Sequence, residues 1–276
     1  MNQDESTHGW GTQVHPGVNA HNHQHLFCLR IDPQLDGNSN SIVQCDAVPS
    51  SAPVGSPENK YGNAFYSENT TYRTPKQSIS DYDARTGRTW SIINPNKYRP
   101  SPSNISLSFR KHPATGTPVA YKLVSREVPF LLPKEGSLVW KRGGFARHSI
   151  HVTPYAEDQV YPAGKYVPQT SGEPSMGLPQ WLEDSSTANI ENTDVVLWHT
   201  FGLTHFPRAE DFPLMPTESV SLILRPSNFF VKNPGLDVRP SSCTFPGHEI
   251  SGRDKCSVYA KPPENVARGC RCAANL

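Results

Sequence analysis

No window of this chain approaches the ~18 consecutive apolar residues of a membrane-spanning helix, so no such span is expected. An excess of one charge is missing too. Twenty-six Lys and Arg face 25 Asp and Glu, leaving a net charge of +1 and no electrostatic footprint for nucleic acid or an anionic lipid surface. Long helical patterns are absent, because 27 prolines and 19 glycines interrupt the 276 residues. The start, Met1 to Glu5, is polar, so no secretory leader is expected and the sequons at Asn69 and Asn104 carry little weight. Six cysteines at irregular spacing do not make a disulfide framework in a chain this long. Cys28 lies in an apolar run and reads as a small core residue, whereas Cys270 and Cys272 read as part of a solvated tail.

What is present is a series of short apolar runs bounded by turn residues. Strands are expected over 26–31, 41–43, 89–93, 104–109, 119–124, 137–141, 149–153, 194–201 and 220–224. Residues 49–63 read as a loop, and 111–117 as the tip of a hairpin joining 105–109 to 119–124. One short helix is expected over 178–184. The pattern predicts an all-β chain, a large antiparallel β-sandwich with few or no helices, occupying 1–240. Residues 241–276 turn to Ser, Gly, Pro, Lys and Arg and read as a flexible tail.

The chemistry concentrates in histidines. On a strand, residues two apart share a face and lie ~7 Å apart along the backbone, so His21, His23 and His25 project together. Phe27, Leu29 and Ile31 continue that face and are expected to lead it inward. A His-x-His pair arises often by chance, but imidazoles running into an apolar face need partners, and a metal is one. Neutral imidazoles with open coordination positions suit Zn, Cu or Fe, with raw affinity favouring Cu(II).

Segment 17–32, carrying His21, His23 and His25, resembles the copper-ligand strand of the copper-containing, topaquinone-dependent amine oxidases. The run Trp198-His199-Thr200-Phe201-Gly202-Leu203-Thr204-His205-Phe206-Pro207-Arg208-Ala209-Glu210-Asp211-Phe212-Pro213-Leu214-Met215-Pro216 is similar to that family's third-ligand segment, and 144–148 and 161–164 are similar as well. The resemblance covers residues 9–246 in order. It implies that His23, His25 and His205 bind copper, with His21 and His199 supporting or packing beside them. It also implies a second divalent cation, calcium or manganese, on the carboxylates of Asp32 and Asp194 and the carbonyls of Pro33 and Val195. Gln34 stands where many relatives have a further aspartate, which weakens a site for a hard cation.

The family's reaction is oxidative deamination of primary amines by dioxygen, giving aldehyde, ammonia and hydrogen peroxide in a homodimer. Its quinone forms from a tyrosine in an Asn-Tyr-Asp/Glu motif several tens of residues before the His-x-His. No Asn-Tyr dipeptide occurs here, and Asp81-Tyr82-Asp83 follows the copper strand and reads as a loop. The family's catalytic aspartate is missing too. The expectation is an N-terminally truncated catalytic domain that holds copper ligands but is inactive alone. The alternative is a non-catalytic copper-binding β-sandwich or a decayed fragment. A peroxisomal or cytoplasmic location is favoured, the ending at Asn275-Leu276 loosely resembling a peroxisomal tripeptide.

Overall fold

The computed structural model describes residues 9–95, 99–100, 108–109, 118–167, 176–230 and 233–237. The chain divides into two units, 1–227 and 228–276; the expected boundary at 240, the hairpin tip at 111–117 and the four later cysteines lie outside the described residues. In the second unit the described structure is a 3-10 turn at Pro234–Asp237.

The first unit is built almost wholly of antiparallel strands. These are β1 (Gly11–His15), β2 (Val18–His21), β3 (His23–Ile31), β4 (Ser41–Pro49), β5 (Phe65–Thr71), β6 (Thr89–Ile93), β7 (Arg99–Pro100), β8 (Ser108–Phe109), β9 (Ala120–Ser125), β10 (Ile150–Pro154), β11 (Val195–His205) and β12 (Leu222–Ser227). One sheet runs β10-β11-β3 and the other β12-β9-β6-β4-β5, with β1-β2 and β7-β8 as separate pairs. Among the described residues three short α-helices interrupt them: α1 (Pro75–Ser78), α2 (Leu138–Arg142) and α3 (Leu178–Asp184). No helix among the described residues is long and apolar enough to cross a membrane.

The sandwich core draws on both sheets, as alternating inward side chains require. Ile42, Trp90, Ile92 and Leu123 from the five-stranded sheet meet Ile150, Val152, Val195 and Leu197 from the three-stranded one, all fully or almost fully buried. The Trp90 indole keeps its N–H satisfied in that interior by donating to the Tyr72 hydroxyl (3.2 Å) and to Ser80 Oγ (3.3 Å). The opposite face of the three-stranded sheet is covered by α3. There Leu178 and Leu182 pack with Val196 and Trp198, and Cys28, Phe145 and Trp181 join them. Cys28 is thus a packing residue, its thiol pushed up to about 11 by burial against a hydrogen bond with Thr200.

Three expectations need correction. The strand expected at 137–141 is helix α2, because Ser137 Oγ accepts from the Trp140 N–H (3.1 Å) as an N-cap and Gly143 closes the last turn on Val139. The hairpin expected between 105–109 and 119–124 does not form among the described residues, since β8 pairs with β7 while β9 pairs with β6 and β12. Phe27 and Leu29 do not lead inward; they are 52% and 38% exposed, and only Ile31 packs on the core. The reason is position: β3 is the edge of its sheet, so its face is covered only where the other sheet reaches it.

Candidate metal centre

The β3–β11 ribbon sets the site. Its register pairs Leu197 with Ile31 at one end and His205 with His23 at the other, with Leu203 opposite His25. Directly paired residues share a face, ~5 Å apart at Cβ, and diagonal neighbours lie within side-chain reach. His205 therefore faces His23 directly and His25 diagonally. Ring centroids lie 4.7 Å apart for His23–His25, 4.9 Å for His23–His205 and 6.1 Å for His25–His205. Gly202 permits this close ribbon: a Cβ there would fall 2.0 Å from the His25 carbonyl oxygen.

Each ring has a nitrogen free for a ligand bond. His23 Nδ1 lies 2.7 Å from the His21 carbonyl, an acceptor, so Nδ1 carries the proton and Nε2 is left bare. His205 Nε2 lies 2.9 Å from Asp211 Oδ2, which leaves Nδ1 bare. His25 Nε2 and His205 Nδ1 are both buried without a hydrogen-bond partner. Buried polar atoms are almost always paired, so two orphans converging on one point mark a missing partner. One nitrogen from each ring lies within 4.8 Å of the other two, and no other group of three or more His, Cys, Asp or Glu among the described residues is so placed. Three nitrogens at ~2.0 Å from one ion sit at most ~4 Å apart, so shifts of about 1 Å close the set. The residues fit a soft-to-borderline metal, and a nitrogen-only donor set favours Cu(II) on affinity.

Asp211 was not singled out in the sequence, although it lies within the family-like run after His205. Its carboxyl is held well below the usual carboxylate range by the Arg208 guanidinium, by the hydrogen bond from His205 and by the Arg208 N–H. The His205 and Asp211 side chains are only 4% and 5% exposed. Carboxylates that hold the distal nitrogen of a metal-binding histidine typically contribute 10–100-fold in affinity. Asp211→Asn is therefore expected to weaken copper binding by about tenfold or more in a competition titration, with Asp211→Glu recovering part of the loss.

His21 ends β2, opposite Gly11, and contributes its carbonyl rather than its ring. His199 lies roughly 20 Å along β11 from His205, fully buried, stacked on Phe201 at 5.6 Å with Nδ1 3.1 Å from the Ser149 carbonyl. It is a packing residue. The residues expected for a second cation gather where β3 ends and β11 begins, roughly 30 Å from the histidines. There Asp32 approaches Arg30 Nη1 (3.4 Å), Asp194 Oδ2 accepts from Asn38 (3.2 Å) and the Pro33 carbonyl accepts from Asn40 (3.3 Å). Val195 is paired with Pro154. Asp81-Tyr82-Asp83 is a loop; Asp81 accepts from the His148 ring (2.8 Å) and from the Ser149 N–H (2.8 Å).

Burial pushes His199 down to about 4 and His151 down to about 3. Unfolded histidine takes up its proton near pH 6.5, so the fold loses stability as pH falls below that value, by up to about 1.4 kcal/mol per pH unit for each ring. His148 acts with the opposite sign, because the Asp81 carboxylate raises its pKa against the effect of burial. The urea midpoint is expected to fall between about pH 6.5 and pH 4 and to fall less steeply in His199→Gln; equal slopes would refute the assignment.

The sandwich thus brings three imidazoles from two paired strands together, His205 buried, His25 half-buried and His23 exposed, as a candidate mononuclear nitrogen site. Comparison with known proteins fixes the family. Residues 1–245 match the model of the copper amine oxidase enzyme domain, so the chain belongs to the copper amine oxidase family. It is 58% identical over 241 residues to copper amine oxidase 1 of Schizosaccharomyces pombe, covering 87% of this chain and 32% of that protein. It is 54% identical over 241 residues to the peroxisomal primary amine oxidase of Pichia angusta, covering 87% of this chain and 33% of that protein. The crystal structure of a copper-containing benzylamine oxidase from Hansenula polymorpha superposes with a TM-score of 0.72 at 36% identity, over 84% of this chain and 34% of that one. The chain thus spans about a third of the length of the relatives it matches.

Proposed function

We propose that this chain is the copper-binding part of a primary-amine oxidase, acting in the oxidative deamination of primary amines by dioxygen to aldehyde, ammonia and hydrogen peroxide. The observation that carries the reading is the convergence of His23, His25 and His205, the last two with orphaned ring nitrogens, in a chain of this family. Copper held there would supply redox and Lewis-acid chemistry toward oxygen species. The protein's own residues do the positioning. The His21 carbonyl fixes the His23 tautomer, Asp211 fixes that of His205, and Arg208 holds Asp211 ionised.

The residues present do not fit formation of topaquinone, since no Asn-Tyr dipeptide occurs in the chain. We therefore propose that the isolated chain loads copper and does not oxidise amines. The same absence favours a second reading, a non-catalytic copper-binding sandwich or decayed fragment. An in-frame Asn-Tyr-Asp/Glu run in the transcript ahead of the Met1 codon would favour the oxidase. A calcium or manganese ion on Asp32, Asp194 and the carbonyls of Pro33 and Val195, and a homodimer, belong to the same proposal. A peroxisomal location is supported by the name of the Pichia angusta relative.

The test is metal analysis of the purified chain together with a peroxide-release assay on benzylamine. One copper per chain and no peroxide are expected. Peroxide formation would overturn the inactivity, and a chain that takes up no copper would overturn the site.

A further inference from the structure

We propose that the cleft between α1, α3 and the Gly144–Ala146 turn is a second binding site, for a small organic carboxylate with an apolar body. The cleft encloses about 310 Å³ and is lined by Lys76, Ile79, Arg147, His148, His151 and Leu182, among others. It lies on the α3 side of the three-stranded sheet, away from the inner face that carries the metal-binding histidines. A volume of this size is at the lower end of small-molecule sites.

Two polar groups in this cleft lack the partners that burial demands. His151 is only 3% exposed, and its Nδ1 has no hydrogen-bond partner. Arg147 Nε is likewise buried and unpaired, and none of the ion pairs among the described residues includes Arg147. Its guanidinium is nonetheless fixed, stacked 3.4 Å from the centroid of the Trp140 ring. A partly buried guanidinium held against an aromatic ring, with no ion pair of its own and Glu135 acting on it only through its charge, can hold a carboxylate by charge-assisted hydrogen bonds. Lys76 adds a second positive charge, and His148, beside the Asp81 carboxylate, favours its protonated form. Glu183 is the one acidic side chain lining the cleft. The anion would lie toward Arg147 and Lys76, and the apolar body against Ile79, Pro179 and Leu182. His151, kept neutral by its burial, offers the floor a hydrogen-bonding group without a compensating charge.

Benzoate is a suitable probe, titrated into the full 276-residue chain and followed through the His151 imidazole signals by NMR. Saturable binding is expected with a Kd on the order of 1 mM, and at least about tenfold weaker binding of benzyl alcohol, which has the ring without the charge. Arg147→Met should weaken benzoate about tenfold, and Lys76→Gln, at an exposed position that leaves the stacked guanidinium in place, about threefold. Inorganic phosphate is expected to bind more weakly than benzoate. Equal binding of alcohol and benzoate, phosphate binding more tightly than benzoate, or no movement of the His151 signals would overturn the proposal. So would unchanged affinity in both variants.

Discussion

Replacing His205 with alanine is expected to lower copper affinity by more than about a hundredfold. Loss of a residue that merely supports a metal ligand typically costs 10–100-fold, and loss of the ligand itself should exceed that. The ring is buried, its Nδ1 has no other partner, and it sits directly across the ribbon from His23. His21→Ala is the matched control. His21 supplies only its carbonyl to the site, and alanine retains that carbonyl, so affinity is expected to stay within about threefold. A competition titration against a chelator of known affinity reads both variants. Equal losses in the two would mean that the ring nitrogens have been assigned wrongly.

Gly202→Ala is expected to damage the fold and the site together. The added methyl would stand 2.0 Å from the His25 carbonyl oxygen and 3.1 Å from the Leu26 Cα, both backbone atoms that cannot rotate away. Gly202 also has φ +155, a conformation that side-chain-bearing residues rarely adopt. Relief requires β3 and β11 to separate or slip, and a one-residue slip would turn every side chain of the ribbon to the other face. A loss of about 3 kcal/mol in urea denaturation is expected, at the upper end for overpacking, together with loss of copper uptake by the folded fraction. An unchanged midpoint with full copper loading would contradict the close approach of the strands.

Much of the ribbon was legible because its signals are local. Alternation of His23 and His25 with intervening residues, and a run of β-branched and aromatic residues over 195–201, specify extended chain whatever packs against it. The pairing of His205 with His23 was not legible from spacing, since register depends on tertiary packing; the family resemblance supplied it. Strand β5 escaped because it is an exposed edge with almost no buried residue and hence no apolar alternation. The helix α2 was misread because a short apolar run has no decisive period, and the Ser137 cap outweighed its strand-like composition. Asp211 was invisible as a functional residue for a different reason. A carboxylate six residues after a histidine becomes informative only when the chain turns back, as it does through the 3-10 turn Ala209–Asp211.

The central claim is that three imidazoles share one cupric ion. Electron paramagnetic resonance on the copper-loaded chain, labelled with 15N-histidine, tests it most directly by counting coupled ring nitrogens. Three coupled imidazoles are expected, falling to two or to no bound copper in His205→Ala. A spectrum with fewer than three, or one that His205→Ala leaves unchanged, would contradict the account.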